Sequence, residues 1–469
     1  MTDYLAFFTD RHVAADERYP HNDIGISTLF YDFHRDTICF VVEAKMWYCY
    51  TGKRWEKDDG GLQVMEICKD FVQALVTYAV TLDNGSEKSA AYIKYTASFH
   101  TRRKREGLLS DARSIAPKNL SDFDRDKLLF NCQNGTFSLF ELVLRPHRPE
   151  DYITKIARVH YRGEATCERW ERFIDEIMCD DIDTAHFLQK SLGYCLSGET
   201  NLECFFILYG GTTRNGKTTL TETIGYIFGD YSRTIQPQTL SRRSTDGASP
   251  SPDTARLKGA RLVNMPEPEK GLELNISLVK QLTGGDTYTA RFLNENPVEF
   301  APEFKIIVNT NHLPRTSDDT VFSSGRIKLI PFERHFTPEE QDTRLKNLFR
   351  EEKNMSGIFS WLIEGYRLLT SEGLSLPDKV KKAIGDYRQE ADIIGSFLCE
   401  CTIIEDGSRI ATSELYSVYT LWAKENGYRP MNNKNFVTEL RRRFDVRRGS
   451  VGNVVVGLSL DCTENPLTE

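Results

Sequence analysis

The sequence predicts an α/β fold: a core of parallel strands alternating with helices, an α+β region ahead of it, and a small winged-helix-like module behind it. Three observations carry this prediction. Residues 202–335 alternate strand-like and helix-like stretches, the pattern of a parallel sheet with crossover helices. Within them the apolar run Cys204-Phe-Phe-Ile-Leu-Tyr-Gly210 leads into Gly211-Thr-Thr-Arg-Asn-Gly216-Lys217-Thr218, and a helix-like Thr219 to Phe228 follows. The tail from about Ile403 reads helix, helix, then strands ending in Asn453-Val-Val-Val-Gly-Leu-Ser459, the order of a winged-helix module.

Composition bounds the rest. The chain has 469 residues, which at roughly 150 per domain gives about three domains. Its 40 % hydrophobic and 27 % charged residues, with 31 Gly and 17 Pro, exclude collagen-like, coiled-coil and wholly disordered classes. The longest apolar stretch, Leu202 to Tyr209, contains Glu203 and falls far short of the ~20 residues of a membrane helix, so no membrane contact is expected. Met1 to Asp10 has no long apolar block, and no secretory signal is expected there. The net charge of −8 argues against a histone-like polycation. It leaves room for nucleic acid, because a ring or channel can concentrate positive charge on one inner surface. The 11 cysteines form no CxxC pair and no zinc-spaced Cys/His cluster, so reduced thiols in a cytosol-like compartment are expected.

Taken in order, Thr37 to Tyr50 followed by Thr51-Gly-Lys-Arg-Trp55 reads as strand, tight turn, strand. From Gly61 to Thr81, Leu62, Met65, Ile67, Val72, Leu75 and Val76 recur at helical spacing. The basic run Arg102-Arg-Lys-Arg105 reads as a solvated helix face, with phosphate contact as the alternative. Leu128 to Leu139 is a hairpin with Asn134-Gly135 at its centre. From Thr166 to about Ser197 one helical pattern runs through Trp170, Phe173, Ile174, Ile177, Phe187, Leu188 and Leu192, and Gly198 breaks it. Beyond the core, Pro338 to Thr370 and Pro377 to Cys401 read as helical, with hinges at Pro377 and near Gly407. The domain division that follows is 1–110, 111–200, 201–336, 337–402 and 403–469.

The chemistry concentrates in the core. Gly211 and Gly216 let the backbone wrap close enough for its N–H groups to face phosphate oxygens, so Gly211, Thr212, Thr213, Arg214, Asn215, Gly216, Lys217, Thr218 and Thr219 form a candidate nucleotide cradle. The helix that follows adds its positive end. Lys217 reaches the β/γ-phosphates and the Thr218 hydroxyl ligates Mg²⁺. Fifty residues on, Arg261-Leu-Val-Asn-Met-Pro-Glu267-Pro-Glu269 is an apolar strand ending in carboxylates. Glu267 takes the main role, holding Mg²⁺ partly through water and polarising the attacking water, and Glu269 a supporting one. Phe304 to Asn311 is a third strand with a polar end; Asn311 is the candidate for positioning the lytic water, and Asn309 reads as a strand-end hydrogen bonder. Arg326, entering Ile327 to Phe332, is placed to act on a neighbouring subunit's nucleotide as an arginine finger.

The ordered set resembles the superfamily 3 helicases, specifically the phage and plasmid primase–helicases related to poxvirus primase–helicase. It comprises the phosphate loop, Glu267-Pro-Glu269, Lys280-Gln-Leu-Thr-Gly-Gly-Asp286 with Ala290-Arg291, Thr310-Asn-His-Leu-Pro314 and Arg326…Pro331-Phe332. Asn131 to Thr136 and Gln189 to Tyr194 look like that family's region ahead of the motor; Tyr387 to Asp392 and Glu414 to Trp422 look like its tail. The resemblance implies an AAA+-like motor that assembles as a ring, usually a hexamer, and hydrolyses ATP at subunit interfaces. It implies translocation on single-stranded DNA, typically 3′ to 5′, with unwinding of origin or fork duplex. The family's DNA contact maps onto Lys280 and a hairpin from Thr287 to Phe304, with Arg291 as the basic candidate. Two departures stand out: the turn Asn294-Glu-Asn-Pro297 has no Lys or Arg, and Gly325 precedes a single Arg326 where relatives often pair arginines.

Relatives often carry a primase ahead of the motor; residues 1–110 are too short for that fold and show no Asp-x-Asp strand with a downstream His, so priming is not expected. A separate primase or polymerase docking there is compatible with the sequence. At the other end, Arg441, Arg442 and Arg443, with Arg447 and Arg448, lie on or near a candidate recognition helix and suit phosphate contact. The leading reading is a replicative helicase of a virus or mobile element, in the bacterial cytoplasm if phage-encoded. Two others stay open: an origin-binding initiator or loader without processive unwinding, and a DNA-independent signalling NTPase.

Overall fold

The computed structural model describes residues 2–242, 252–290, 298–316, 318–428, 430–449 and 452–461. Helices α1 (Thr2–Asp10) and α2 (Asp23–His34) precede an antiparallel meander of β1 (Ile38–Val41), β2 (Met46–Tyr50) and β3 (Trp55–Asp58), followed by α3 (Leu62–Thr81), α4 (Glu87–Ser98) and α5 (Arg102–Ala112). The Asn22 and Ser86 side chains cap α2 and α4, and the Asp58 carboxylate accepts the first N–H groups of α3 from Gln63 and Val64. Phe8, Phe30, Phe71 and Leu108 close this core. The basic run opens α5 as a helix face partly spent inside the chain: Arg102 pairs with Glu106 and Lys104 with Asp23.

A second meander, β4 (Leu129–Cys132), β5 (Gly135–Ser138) and β6 (Val143–Arg145), contains the expected hairpin. Its turn is Gln133-Asn134, one residue earlier than the Asn134-Gly135 expected, because Cys132 pairs with Gly135. Gly135 is needed within the strand instead: a Cβ there would stand 2.5 Å from the Arg145 carbonyl oxygen. The single helix expected from Thr166 to Ser197 is two, α6 (Glu168–Met178) and α7 (Ile182–Tyr194). Cys179 and Asp180 adopt left-handed φ of 54° and 59°, and the Asp181 carboxylate then caps α7 at the Thr184 N–H. The buried apolar stripe lapses between Met178 and Ala185, but Ile177 and Leu188, eleven residues apart, stay in helical phase, which hides the break from periodicity.

The core follows: β7 (Phe205–Tyr209), α8 (Lys217–Phe228), β8 (Ser232–Thr234), α9 (Pro252–Ala255), β9 (Leu262–Met265), α10 (Ile276–Thr283), β10 (Tyr288–Ala290), β11 (Val298–Phe300), β12 (Lys305–Thr310), α11 (Thr320–Ser323) and β13 (Ile327–Pro331). Five strands form a parallel sheet in the order β13-β7-β12-β9-β8. Successive residues serve opposite faces: Phe206, Leu208, Ile307 and Ile330 join one core, Phe205, Ile207, Ile306 and Leu329 the other. The expected Thr287 to Phe304 hairpin is present as β10–β11, with Tyr288 opposite Phe300; Arg291 and the turn 294–297 lie outside the described residues.

Then come α12 (Leu345–Phe349), α13 (Glu352–Glu372), α14 (Asp378–Ala391) and α15 (Ile393–Cys401). Residues 338–344, expected to be helical, are not, and Pro377 serves as the N-cap of α14. Helices α7 and α13 cross glycine on glycine: a Cβ on Gly193 would meet the Tyr366 nitrogen at 2.3 Å, and one on Gly365 the Gln189 carbonyl oxygen at 2.3 Å. The chain ends in β14 (Thr402–Ala411), α16 (Thr412–Glu425), α17 (Asn433–Arg443), β15 (Val446–Arg448) and β16 (Asn453–Leu460), an antiparallel sheet of order β14-β16-β15 against two helices. Strand β14 was not legible as a strand, since its residues up to Arg409 are mostly exposed and Gly407 (φ 82°) shifts its register between Ile404 and Arg409. Among the described residues, no helix is long and apolar enough to cross a membrane.

Candidate functional site

The phosphate loop leaves the C-terminal end of β7 and closes on itself: the buried Asn215 amide donates to the Thr212 carbonyl at 2.7 Å. Two glycines make that closure feasible. At Gly210 a Cβ would fall 2.1 Å from the Asn215 amide nitrogen and 2.7 Å from the Phe332 carbonyl. At Gly216, where φ is 86°, it would fall 2.4 Å from Ile177 of α6. Gly211 faces open space apart from the Tyr209 hydroxyl, and Gly210, not singled out in the sequence, carries the close protein contacts. Arg214 is left-handed at φ 58°. The segment after β13 straps the outer rim, with His335 Nδ1 against the Thr213 carbonyl at 2.8 Å and the Phe336 N–H donating to the Arg214 carbonyl at 2.9 Å.

Lys217 opens α8 and is 5 % exposed. Its ammonium donates to Asn311 Oδ1 at 2.7 Å and, more weakly, to the Gly210 carbonyl at 3.5 Å. The Asn311 N–H in turn donates to Glu267 Oε1 at 3.2 Å. The structure therefore brings Lys217, Asn311 and Glu267, residues 50 and 94 positions apart, together at one end of the sheet, beyond β7, β12 and β9. Glu269 is exposed and its carboxylate makes no hydrogen bond or ion pair among the described residues. Thr218 and Thr219 lie in the first turn of α8, and the Thr218 side is exposed beside the loop.

Burial pushes the Lys217 ammonium down to about 8, with the Glu267 carboxylate pulling the other way. A polyphosphate there restores the proton, because it adds negative charge around the same ammonium. Nucleotide binding at pH 8 is therefore expected to take up about half a proton, and affinity to fall as pH rises above 8. Titration calorimetry in two buffers of different ionisation enthalpy measures this; equal heats in both would contradict it.

Asn309 is the strand-end hydrogen bonder expected, but the buried polar line it forms beneath the loop with Asn264 and Thr221 was not foreseen. Asn309 donates to Asn264 Oδ1 at 2.6 Å and to Thr221 Oγ at 3.2 Å, and the Thr221 hydroxyl donates to the Lys217 carbonyl at 3.1 Å. It pins β9, β12 and α8 to one another at the site. The signal was an asparagine inside each of two otherwise apolar strands, Leu-Val-Asn264-Met and Ile-Ile-Val-Asn309.

Arg326 sits at the other edge of the sheet. Its carbonyl accepts the Phe205 N–H at 2.9 Å, at the start of β7, whereas the phosphate loop follows the end of that strand. Five residues at about 3.3 Å each separate them, too far for Arg326 to reach its own chain's nucleotide. Its guanidinium pairs with Glu203, and donates to the Thr283 hydroxyl at 3.0 Å and the Glu203 carbonyl at 3.3 Å. Lys280, on α10, pairs with Asp318 at 2.8 Å. Of the three arginines ending α17, Arg443 grips Asp392 through two bonds of 2.7 Å and Arg442 pairs with Glu439, while Arg441 is exposed with no ion-pair partner among the described residues.

The donor set at the loop is one hydroxyl, Thr218, and one carboxylate, Glu267. That set fits a magnesium ion that would take most of its ligands from outside the protein, and does not fit an ion caged by protein alone. Among the described residues no group of three His, Cys, Asp or Glu side chains could hold a metal.

Comparison with known proteins places the chain. Residues 27–179 match the family described as D5 N terminal like, residues 389–452 the poxvirus D5 protein-like family, and residues 208–326, which include the phosphate loop, a family of unknown function. The chain is 25 % identical over 424 residues to "Putative helicase L207/L206" of Acanthamoeba polyphaga mimivirus, covering 83 % of this chain and 44 % of that protein. It is 25 % identical over 270 residues to the likewise titled helicase 022R of Frog virus 3 (isolate Goorha), covering 54 % and 28 %. Against helicase 121R of Invertebrate iridescent virus 3 the figures are 24 % over 360 residues, 69 % and 38 %. The chain thus spans less than half the length of these curated relatives. Among solved structures, the A-form apo structure of the NrS-1 C-terminal region overlaps 92 % of this chain and 98 % of its own at 13 % identity, with a TM-score of 0.49.

Proposed function

We propose, for a chain that belongs to the D5-like primase–helicase family, an ATP-driven DNA helicase of a viral or mobile-element replication system. It works as a ring, a hexamer by family resemblance, moves 3′ to 5′ on single-stranded DNA and opens forked duplex. The observation that carries this reading is the contact of Lys217 with Asn311 and of Asn311 with Glu267 at the mouth of a phosphate loop, on a parallel sheet of order β13-β7-β12-β9-β8.

In this reading the loop N–H groups and Lys217 bind the β- and γ-phosphates, and Lys217 exchanges its Asn311 contact for them. Asn311, so released, holds the lytic water, and Glu267 takes its proton. Thr218 and Glu267 would hold magnesium, which would supply charge neutralisation at the phosphates. Arg326 completes the site of the adjoining protomer. Lys280 and the β10–β11 hairpin face DNA, and residues 403–469 form a winged-helix-like module in which Arg441 is the arginine freest to meet phosphate. The other domain boundaries, a primase or polymerase partner and a cytoplasmic setting belong to the same proposal.

The test is ATP turnover with and without single-stranded DNA, alongside displacement of a labelled strand from a fork. Stimulation together with displacement is the expected result. Binding to duplex origin alone would favour an initiator, and turnover indifferent to DNA a signalling NTPase.

A further inference from the structure

Three separate elements deliver the groups at the phosphate loop. Lys217 opens α8, Asn311 directly follows β12, and Glu267 lies two residues beyond β9. The contacts among their tips are few: one bond from the Lys217 ammonium to Asn311 Oδ1, and one of 3.2 Å from the Asn311 N–H to Glu267 Oε1. Glu267 is exposed and Asn311 half-buried, so water competes for both. In the proposed reaction the Lys217–Asn311 contact is moreover given up to phosphate. Whatever then holds the three elements in register lies deeper.

One side chain beneath the loop belongs to one of these elements and bonds to the other two. Asn309, 8 % exposed, stands on β12 two residues before Asn311. Its amide directs both hydrogens outward from that strand. One goes 2.6 Å to Asn264 Oδ1 on β9, three residues before Glu267, and the other 3.2 Å to the Thr221 hydroxyl on α8. Thr221, 5 % exposed and one turn after Lys217, passes the connection on: it donates to the Lys217 carbonyl at 3.1 Å and, more weakly, to the Thr218 carbonyl at 3.5 Å. One hydrogen bond from Asn309 thus reaches the strand that leads to Glu267, and two in series reach the backbone of Lys217. The sheet ladder does not do this alone. It sets Ile307 opposite Asn264 and Val308 opposite Met265, but bonds neither strand to α8.

Packing does not account for an asparagine at this position. Ile306, Ile307 and Val308 join the apolar cores on the two faces of the sheet. Asn309 Oδ1 is buried and accepts no hydrogen bond among the described residues. An unmet buried acceptor costs stability. Leucine or valine would avoid that cost and forfeit only the two donated bonds, so those bonds are what the amide contributes.

We propose that Asn309 is a positioning residue for the ATP hydrolysis assigned above, an inference that rests on that reading. Through Thr221 it fixes Lys217, and through Asn264 it fixes the strand that leads to Glu267, so that both groups meet the γ-phosphate in one geometry.

The test measures kcat and KM for ATP, together with Tm, in Asn309→Leu, Thr221→Val, Thr221→Ser and the double variant Asn309→Leu/Thr221→Val. The loop N–H groups and the Lys217 side chain remain, so KM holds within a few-fold. In Asn309→Leu kcat falls by about 10²-fold, the scale of a misplacement of about 1 Å at a reacting group. Thr221→Val reproduces much of that loss, and Thr221→Ser, which keeps the hydroxyl, restores most of it. The double variant is no slower than Asn309→Leu, because both changes cut the same path. A parent-like kcat in Asn309→Leu overturns the proposal. So do equal losses in Thr221→Val and Thr221→Ser, losses that multiply in the double variant, or a raised KM and lowered Tm that accompany the fall in kcat, the mark of a purely structural side chain. If Asn309→Leu does not fold, the Thr221 pair decides: a slow valine with a fast serine supports the role, and equal rates overturn it. Failure of the nucleotide-site reading looks different, since turnover would then survive Lys217→Ala and the proposal would fall with it; turnover that needs Lys217 and not Asn309 rejects this proposal alone.

Discussion

Lys217→Ala loses ATP turnover by roughly 10³-fold, the scale on which a single preorganised charge acts at a developing anionic transition state. The substitution removes the buried ammonium that bridges the phosphate loop to Asn311. It removes a desolvated cation and leaves the Asn309, Asn264 and Thr221 line in place, so the fold is expected to survive. Binding to single-stranded DNA, measured by anisotropy, should remain within a few-fold of the parent chain, because Lys280 and the β10–β11 hairpin, proposed above to face DNA, are separate from the phosphate loop. Turnover measured under saturating ATP and magnesium decides the assignment: a variant that hydrolyses at the parent rate would reject Lys217 as the phosphate-binding lysine.

Arg326→Ala is the second large effect. Nucleotide affinity should hold, because the residue lies at the far edge of its own sheet. Turnover should fall by about 10³-fold or more, as for an arginine acting on a neighbour's phosphates. Mixing this variant with Lys217→Ala protein provides the sharper reading. In the proposed ring an interface works when one protomer supplies Lys217 and the next supplies Arg326, so an equal mixture would regenerate about a quarter of the interfaces. Recovery of part of the parent rate on mixing is the expected outcome. Two variants that stay inactive when mixed, while each still assembles, would place Arg326 outside the reaction. Since Arg326 also holds Glu203 and Thr283, the melting temperature of each protein is the control for misfolding.

Much of this architecture was legible because the informative features are local. A glycine-rich loop between an apolar strand and a helix needs no tertiary knowledge, and neither does a strand that ends in Glu267 or Asn311. What escaped was set by distant contacts. The break between α6 and α7 depends on two left-handed residues, Cys179 and Asp180, between two apolar stripes that remain in helical phase with each other. Strand β14 is held by pairing with β16 and carries exposed Ile403 and Ile404, so alternation could not reveal it. The constraint at Gly210 comes from the Asn215 amide, folded back over the loop, and from the carbonyl of Phe332, more than a hundred residues later. The partners of Arg326, Lys280 and Arg443 are likewise acids remote in sequence.

The crossing of α7 over α13 carries a mechanical consequence. With backbone touching backbone at Gly193 and Gly365, the two helices have no compliant side-chain layer between them and cannot slide or roll past one another. They form one stiff beam. Since Ile177 of the adjoining α6 packs against Gly216 with no room for even a methyl group, the phosphate loop abuts that beam with little slack.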